Sequence, residues 1–329
     1  MRALITGISG FAGRHLAALL LRGGNEVYGT ARAESGAALA ALAARYPALR
    51  DECVRTADMA DATGVAAVVA TVQPDAIFHL AGMTFVPASH ADPTAAFRVN
   101  VLGTINLFAA VRQHRPSCRI LLVGSGDAYG WVDSADLPIR ETCPFRPLSP
   151  YGASKAAADL VAYQWARAYG LDIVRARPFN HIGPGQQPLF VCPDFARQLV
   201  AVERGRQPAV IAVGNLDVVR DFSDVRDVVA GYLAAWERGA SGDAYNICSG
   251  AGHSVRDMLD TLIELSGLHV RIAVSPERVR PTDVPSVIGC ADKLSQATGW
   301  VPTYEWRQTL ADVLADWRTR PDAEIGGSG

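Results

Sequence analysis

Two residues that can move a proton, Tyr151 and Lys155, stand four positions apart in the sequence Tyr-Gly-Ala-Ser-Lys. On a helix, this spacing places them one above the other on the same face. A tyrosine with a pKa of about 10 is a weak acid or base at neutral pH, but a neighbouring lysine cation favours the phenolate. Such a pair can pass a proton to or from a substrate oxygen while a nicotinamide exchanges a hydride at the same carbon. Taken alone, the pair is more typical of the exposed face of an amphipathic helix.

Ser125 makes the pattern more specific. It follows an apolar run, 119–123, that has the length and composition of a buried strand. A hydroxyl at the carboxyl end of a central strand can bind the same substrate oxygen as Tyr151. The order serine, tyrosine, lysine therefore predicts a site in which Ser125 orients a carbonyl, Tyr151 exchanges the proton and Lys155 supports the tyrosine.

Three glycines, in Gly7-Ile-Ser-Gly10-Phe-Ala-Gly13, lie between a predicted strand at 3–6 and a predicted helix at 11–22. Glycine here permits a tight turn, close approach of the backbone to a pyrophosphate, and close packing of helix on strand. The helix then presents free N–H groups and the positive end of its dipole to the phosphates. The position of the glycines between a strand and a helix predicts a dinucleotide site rather than a structural turn.

The second predicted strand ends at Arg32, where an NAD-selective site usually has Asp or Glu to bind the ribose 2′-hydroxyl. An arginine suits a 2′-phosphate instead. We therefore expect NADP(H) as the cofactor, with NAD(H) as the alternative; the competing interpretation makes Arg32 a solvated side chain. Asp58 follows a presumed third strand and would either reach the adenine or cap the next helix.

Short apolar runs alternate with longer helical patterns through the first half of the chain. Strands are predicted at 3–6, 26–30, 76–80, 119–123 and 172–176, and helices at 11–22, 64–72, 95–113 and 151–169. The alternation predicts right-handed βαβ crossovers and a Rossmann-type doubly wound parallel sheet of the α/β class. After Pro178, Gly- and Pro-rich loops and shorter elements predict a smaller lobe at the carboxyl edge of the sheet. We expect a Rossmann domain at 1–178 with a returning segment near 211–246, an interleaved substrate lobe at 179–325, and a tail at 326–329.

Composition excludes several classes of function. The 329 residues are 49% hydrophobic and 19% charged, which is typical of a globular protein and argues against disorder, collagen and a coiled coil. A net charge of −2 argues against a nucleic-acid partner, and apolar stretches such as 16–21 are too short for a membrane span. The chain enters a strand at once, without the pattern of a secretion signal, and its six cysteines are widely spaced. We therefore expect a cytoplasmic protein, and no set of His, Cys and Asp has metal-ligand spacing.

Together these motifs resemble the extended short-chain dehydrogenase/reductases that act on nucleotide sugars, over essentially the whole chain. The matching segments are Gly7 to Gly13, His79 to Gly82, Asn100 in Arg-Val-Asn-Val-Leu-Gly-Thr, Ser125, Tyr151 with Lys155, and Arg177 to Asn180. The segments most similar to GDP-mannose 4,6-dehydratases and GDP-4-keto-6-deoxymannose reductases are Arg177 to Gln186, Val213 to Leu216, Arg220 to Phe222, and Arg280 to Asp283.

With the positions argued above, the resemblance implies two groups of binding residues. The cofactor site would be formed by Gly7, Gly10, Phe11, Ala12, Gly13, Arg32, Asp58, Met59, Leu80, Ala81, Gly82, Tyr151, Lys155 and Pro178. The substrate site, where arginines would bind the diphosphate of a GDP-linked sugar, would be formed by Thr84, Ser125, Asp127, Asn180, Arg197, Arg220 and Arg280. Arg220 and Arg280 would bind the diphosphate, whereas Arg197 would either contact the nucleotide or be a surface charge on a helix. Asn100 would fix a helix kink near Lys155, and the family often forms homodimers through helices beside the active site.

Four functions are consistent with these motifs. A 4,6-dehydratase needs a further acid–base pair after Ser125, and the resemblance implies a Glu there, whereas this chain has Gly126 and the shorter Asp127. A 4-epimerase, or another nucleotide-sugar reductase, is the second alternative. A dinucleotide-sensing protein without activity would be expected to lose one of the three catalytic residues. The preferred prediction is a 4-ketoreductase: NADPH gives a hydride to C4 of a GDP-4-keto-6-deoxy-hexose and Tyr151 protonates the new alkoxide, with the rhamno and talo products both open.

Overall fold

A computed structural model describes residues 1–32, 35–46, 49, 53–278 and 284–326. Its strands are β1 (Arg2–Thr6), β2 (Glu26–Ala31), β3 (Val54–Thr56), β4 (Ala76–His79), β5 (Arg119–Val123), β6 (Ile173–Pro178), β7 (Asn180–Ile182), β8 (Val210–Val213), β9 (Val219–Asp224), β10 (Ala244–Ile247), β11 (Gly252–Ser254), β12 (Arg271–Val274) and β13 (Ser286–Val287). Its helices are α1 (Phe11–Arg22), α2 (Gly36–Arg45), α3 (Ala62–Val72), α4 (Val86–Ala91), α5 (Pro93–Phe97), α6 (Gly103–His114), α7 (Pro150–Tyr169), α8 (Val191–Glu203), α9 (Val225–Arg238), α10 (Val255–Ser266), α11 (Asp292–Thr298), α12 (Trp306–Thr319) and α13 (Asp322–Ile325).

The central sheet has seven strands in the order β10-β6-β5-β4-β1-β2-β3, and every neighbouring pair is parallel. Its inner strands β4 and β5 are almost entirely buried, as their continuous apolar runs predict for a sheet covered on both faces. The order reverses between β1 and β4, which is where doubly wound sheets bind ligands at the carboxyl ends of their strands. The predicted Rossmann-type fold is confirmed.

Helices cover both faces of this sheet. On one face, α1 and α9 pack together, and their core includes Leu16, Leu20, Val228 and Tyr232. On the other, α3, α6 and α7 enclose a second core around Val69, Phe108 and Ala162. The sheet is therefore a rigid platform whose carboxyl edge carries the loops that hold the predicted functional residues.

The remaining strands and helices form a further core beside that edge. β7, β9, β11 and β13 form one small sheet, and β8 pairs with β12. The helices α8, α10 and α12 pack around buried residues such as Phe195, Leu259 and Trp317. Between these elements the chain returns to the large sheet, where α9 contacts α1 and β10 pairs with β6.

One helical run among the described residues, Pro93–His114, is long and apolar enough to cross a membrane by length and composition. The expectation that every apolar stretch is too short is therefore wrong for these 22 residues. Half of an 18-residue apolar window of this run is buried inside the fold, where α6 packs against α3 and α7. A core helix of a globular protein has this environment, because its apolar face is covered by protein.

Candidate active site

The structure brings Ser125, Tyr151 and Lys155 together at the carboxyl edge of the large sheet. Ser125 follows β5 in extended conformation, and its hydroxyl accepts a hydrogen bond from the Asp127 N–H at 3.1 Å. Helix α7 begins one residue before Tyr151, because Ser149 caps its first turn and proline occupies its first position. The Ser125 hydroxyl lies close enough to the Tyr151 phenol to influence its protonation.

Burial sets the protonation of this site. Ser125 and Tyr151 are 8% exposed and Lys155 is 6% exposed. Burial raises the pKa of Tyr151, the Asp127 carboxylate raises it further, and the Ser125 hydroxyl opposes the increase. These effects outweigh the influence that the sequence assigned to Lys155, so the tyrosine is held as a phenol, the form that donates a proton.

Lys155 is fixed between α7 and β5. Its ammonium donates a hydrogen bond to the Val123 carbonyl at 2.9 Å, and burial lowers its pKa to about 8. A Cβ at Gly82 would lie 3.5 Å from this ammonium, so the loop after β4 passes directly over it. Since an ammonium carries three hydrogens and Val123 takes one, Lys155 can also donate to a ligand in this cleft.

Asn100 holds the same loop in place. It lies in a five-residue π-helical turn, Arg98–Leu102, between α5 and α6, at the place where a helix kink was expected. Its amide donates to the Met83 carbonyl at 3.1 Å and to the Ser154 hydroxyl at 2.9 Å, and its oxygen accepts from the Met83 N–H at 2.8 Å. These bonds fix the loop after β4 to the helix that carries Tyr151.

The glycine loop has the geometry of a dinucleotide site. Gly7 has a φ of +76°, and a Cβ on it would lie 2.9 Å from the Ala81 backbone nitrogen. A Cβ on Gly13 would collide with the Gly7 carbonyl, so only glycine lets α1 approach its strand this closely. Gly10 begins α1 without a side-chain cap. The first N–H groups of the helix, from Phe11 onward, are therefore available to phosphate oxygens, and the residues present fit a dinucleotide.

Other predicted cofactor residues line neighbouring strand ends. Arg32 and Asp58 follow the paired strands β2 and β3, and both are exposed. Leu80 and Ala81 follow β4 beside β1, where the Leu80 and Ala81 N–H groups donate to the Thr6 backbone and hydroxyl. The remaining predicted positions are Ala12 in α1, the half-buried Gly82, Pro178 at the end of β6, and the buried Met59.

Asp58 does not cap the following helix. Its carboxylate accepts a hydrogen bond from the Ala60 N–H at 2.9 Å, within its own turn. Asp61 is the N-cap of α3, and its carboxylate accepts from the Thr63 N–H at 3.1 Å. The alternative role considered for Asp58 therefore belongs to Asp61.

The predicted substrate residues fall into two places. Asn180 is exposed on β7 and pairs with Phe222 of β9, which also carries Arg220. The Arg220 guanidinium donates to the Val219 and Val284 carbonyls at 2.9 and 2.8 Å. Thr84 is exposed on the loop beyond Gly82, which follows β4 in sequence.

Arg197 has a different environment. Its guanidinium donates to the Asp194 carboxylate at 2.9 Å on α8 and to the Ile325 carbonyl at 3.3 Å on α13. These bonds tie two helices together. Arg280, the remaining predicted diphosphate ligand, lies outside the described residues.

Sequence reasoning missed a contact below the tyrosine. The Ser89 hydroxyl on α4 accepts from the Tyr151 N–H at 3.1 Å and donates to the Val86 carbonyl at 2.7 Å. A serine in a short helix gives no signal of this role. The expectation that His79 is a core residue is confirmed: its ring nitrogens contact the Thr6 and Thr104 hydroxyls at 2.7 and 3.1 Å, and burial lowers its pKa to about 3.

Comparison with known proteins gives the family of this chain. The family model described as GDP-mannose 4,6 dehydratase matches residues 4–313. The chain is 37% identical to GDP-6-deoxy-D-mannose reductase of Pseudomonas aeruginosa, with 97% of this chain and 98% of that protein covered. It is 30% identical to GDP-mannose 4,6-dehydratase of Sinorhizobium fredii, with 91% of each covered.

Solved structures agree with these sequence matches. The structure of RMD from Pseudomonas aeruginosa complexed with NADPH has a TM-score of 0.83 and 34% identity, covering 97% of this chain and 100% of that one. UDP-glucose 4-epimerase from Thermus thermophilus in complex with NAD also has a TM-score of 0.83, at 29% identity, covering 97% and 99%. The chain belongs to the GDP-mannose 4,6-dehydratase family, a group of NAD(P)-dependent enzymes within the extended short-chain dehydrogenase/reductases.

Proposed function

We propose that this protein is an NADPH-dependent reductase of the C4 ketone of a GDP-4-keto-6-deoxy-hexose. The observation that carries the proposal is the buried Ser125–Tyr151 pair, in which the tyrosine is a phenol and can act as an acid. A ketone reductase needs this form, because the alkoxide produced at C4 must receive a proton. The 37% identity to GDP-6-deoxy-D-mannose reductase supports the same reaction.

Each catalytic side chain has one task in this proposal. Bound NADPH supplies the hydride that reaches C4. Ser125 donates a hydrogen bond to the C4 oxygen and orients the carbonyl, and Tyr151 donates its proton to that oxygen as the carbonyl becomes a hydroxyl. Lys155, held by Val123, donates to the ribose and stabilises the phenolate that Tyr151 becomes before it regains a proton from water.

A 4,6-dehydratase is the second candidate, since such enzymes are among the relatives. It is disfavoured by the position after the catalytic serine. A Cβ at Gly126 would lie 3.2–3.3 Å from the ring of Phe179, which is buried there. A side chain at this position requires the ring to move by a few tenths of an ångström. Among the described residues, Asp127 is the acid that influences Tyr151 and would support dehydration.

The cofactor preference follows from the end of β2. Arg32 is an exposed cation at the strand end where the ribose of a dinucleotide lies in this fold. A guanidinium binds a 2′-phosphate with charge-assisted hydrogen bonds. We therefore propose NADPH over NADH, and the relative of known structure with NADPH supports this choice.

The remaining proposals concern organisation. We propose a Rossmann domain at 1–178 and a nucleotide-sugar lobe at 179–325 in which Asn180 and Arg220 bind the diphosphate. Of the returning segment expected near 211–246, the part that packs on the large sheet runs from α9 to β10, because β8 pairs with β12 and β9 belongs to the small sheet. A homodimer is supported by exposed apolar side chains on helices beside the site, namely Phe97, Leu102, Leu160, Tyr163 and Tyr169.

A cytoplasmic location is supported by six cysteines that are all free thiols.

The decisive experiment follows nicotinamide absorbance after purified protein is mixed with NADPH and GDP-4-keto-6-deoxymannose. Rapid loss of absorbance is expected, with one NADPH consumed per sugar. In Tyr151→Phe, NADPH binding is retained and turnover falls by several orders of magnitude. Binding of NADPH without turnover in the parent protein would refute the reductase, and formation of a 4-keto sugar from GDP-mannose would establish the dehydratase instead.

A further inference from the structure

The catalytic serine and tyrosine come from different elements, so their separation depends on how those elements are fastened. Ser125 follows β5, whereas Tyr151 lies on the first turn of α7. The segment between them, 126–149, is described throughout and contains no strand and only two short 3-10 turns. Backbone hydrogen bonds between Arg146 and residues 129 and 131, and an isolated β-bridge between Ile139 and Gly289, hold parts of this segment. Side-chain contacts join it to the helix that carries Tyr151.

Tyr129 anchors the beginning of this segment. Its side chain is fully buried, its hydroxyl donates to the Asn246 amide oxygen at 2.7 Å, and the same hydroxyl accepts from Arg177 at 2.8 Å. Its ring centre lies 5.5 Å from that of Phe145 and 6.2 Å from that of Phe179. Both the ring and the hydroxyl therefore hold the backbone four residues after the catalytic serine.

Arg177 connects Tyr129 to the catalytic helix. The side chain is 5% exposed, and its Nε and Nη2 each donate to the Asp159 carboxylate at 2.9 Å. Its Nη1 donates to the Tyr129 hydroxyl and to the Glu141 carbonyl at 3.0 Å. Asp159 lies on α7, one turn after Lys155. Since a guanidinium is planar and presents its donors in fixed directions, one side chain joins the loop of the serine to the helix of the tyrosine.

We propose that Tyr129 and Arg177 are positioning residues that set the separation between the Ser125 and Tyr151 hydroxyls through Asp159. The kinetic part of this inference rests on the proposed reductase function. Catalytic groups work within about 0.5 Å of their productive geometry, and a displacement of about 1 Å can cost about a hundredfold in rate. Loss of the Tyr129 hydroxyl therefore lowers kcat about tenfold to hundredfold, while the binding of NADPH and of the sugar stays intact.

The test compares Tyr129→Phe with Tyr245→Phe. Tyr245 is the matched control because it is also buried and its hydroxyl accepts one hydrogen bond, from the Ala240 N–H at 2.9 Å, outside the 126–149 segment. In Tyr129→Phe, kcat is expected to fall about tenfold to hundredfold with KM within about twofold. The deuterium isotope effect of 4-deuterated NADPH on kcat is expected to rise, because hydride transfer becomes the slow step. A merely structural role would lower the amount of folded enzyme and leave kcat per folded enzyme and the isotope effect unchanged.

Crystal structures of the parent and of Tyr129→Phe decide the inference independently of the substrate. The separation of the Ser125 and Tyr151 hydroxyl oxygens is expected to grow by about 0.5 Å or more. If the parent does not oxidise NADPH with the keto sugar, the proposed function fails, and this separation alone decides the positioning role. Should Tyr129→Phe not fold, Arg177→Lys, which keeps a cation beside Asp159 but loses the branch to Tyr129, takes its place. The inference is overturned if the distance between the Ser125 and Tyr151 hydroxyl oxygens is unchanged and, where turnover is measurable, kcat equals that of Tyr245→Phe.

Discussion

Replacement of Lys155 by methionine tests the electrostatics of the site directly. The ammonium is 6% exposed, and burial lowers its pKa from 10.5 to about 8. At about 1.4 kcal/mol for each pKa unit, the charged lysine costs the folded state roughly 3 kcal/mol at neutral pH. Lys155→Met removes this cost but leaves the Val123 carbonyl without its donor, which costs about 1–3 kcal/mol. We therefore expect an inactive variant whose free energy of unfolding equals that of the parent or exceeds it by up to about 2 kcal/mol.

The pH dependence of the free energy of unfolding gives a second test, and its direction follows from the pKa of Lys155. The folded-state pKa of Lys155 lies below the unfolded value, so between pH 8 and 10.5 the unfolded chain binds more protons than the folded one. The free energy of unfolding of the parent therefore rises with pH across this window. The excess stability of Lys155→Met over the parent is largest below pH 8 and becomes smaller as the pH rises. Urea unfolding of both cofactor-free proteins at about pH 7 and about pH 10 measures the difference.

The chain provides one matched control, because Lys293 is its only other lysine. The Lys293 side chain is 40% exposed and pairs with Asp243 at 3.1 Å. Lys293→Met is expected to keep full activity and to change the free energy of unfolding by less than about 1 kcal/mol. The reasoning is refuted if Lys155→Met is less stable than the parent by more than about 1 kcal/mol at neutral pH, or if the difference does not narrow at the higher pH.

Three further predictions concern the cofactor loop, the cofactor preference and acid stability. Gly13→Ala places a methyl group against the Gly7 carbonyl, so calorimetry should show that NADPH affinity is lower by about fivefold to hundredfold. The control is Gly36→Ala, where a Cβ meets open space, and an equal NADPH affinity in the two variants would contradict this prediction. Arg32→Ala is expected to reduce the ratio of kcat/KM for NADPH over NADH about tenfold, and an unchanged ratio would exclude Arg32 from the 2′-phosphate site. Burial lowers the pKa of His79 from 6.5 to about 3, so between these pH values the imidazole is protonated in the unfolded chain but not in the folded one. The free energy of unfolding therefore falls as the pH falls. In His79→Gln, the slope of this free energy against pH should be shallower by the equivalent of one proton.

Elements with a strong local signal were predictable from the sequence. The glycine loop and the amphipathic run after it placed a helix at 11–22, and α1 has those bounds. The apolar run 119–123 coincides with β5, since residues buried on both faces of a parallel sheet must be continuously apolar. Short strands such as β7 and β13 were missed because they have three and two residues. Their strand character comes from pairing with β9 rather than from their own composition.

The site also has a part that the sequence predicts and a part that it does not. Ser125, Tyr151 and Lys155 could be assigned because residue type and spacing carry their chemistry. The contacts that hold them could not, because Tyr129, Arg177 and their partners are far apart in sequence and no local pattern joins them. The direction of the pKa shift of Tyr151 was inferred wrongly, since a neighbouring lysine is visible in a sequence whereas the extent of burial is not.

The choice of lysine at position 155 connects this charge state with the direction of the reaction. Of the 31 cationic side chains, 29 are arginines, so Lys155 departs from the strong preference of the chain. An arginine stays charged in any environment and needs a planar set of acceptors, whereas burial brings the pKa of Lys155 to about 8 with one carbonyl as its protein partner. A lysine with this lowered pKa does not force Tyr151 to ionise in the resting enzyme, yet its ammonium can stabilise the phenolate once the tyrosine has lost its proton. A resting phenol beside such a lysine is suited to protonating an alkoxide, which is the proton transfer required when a ketone is reduced.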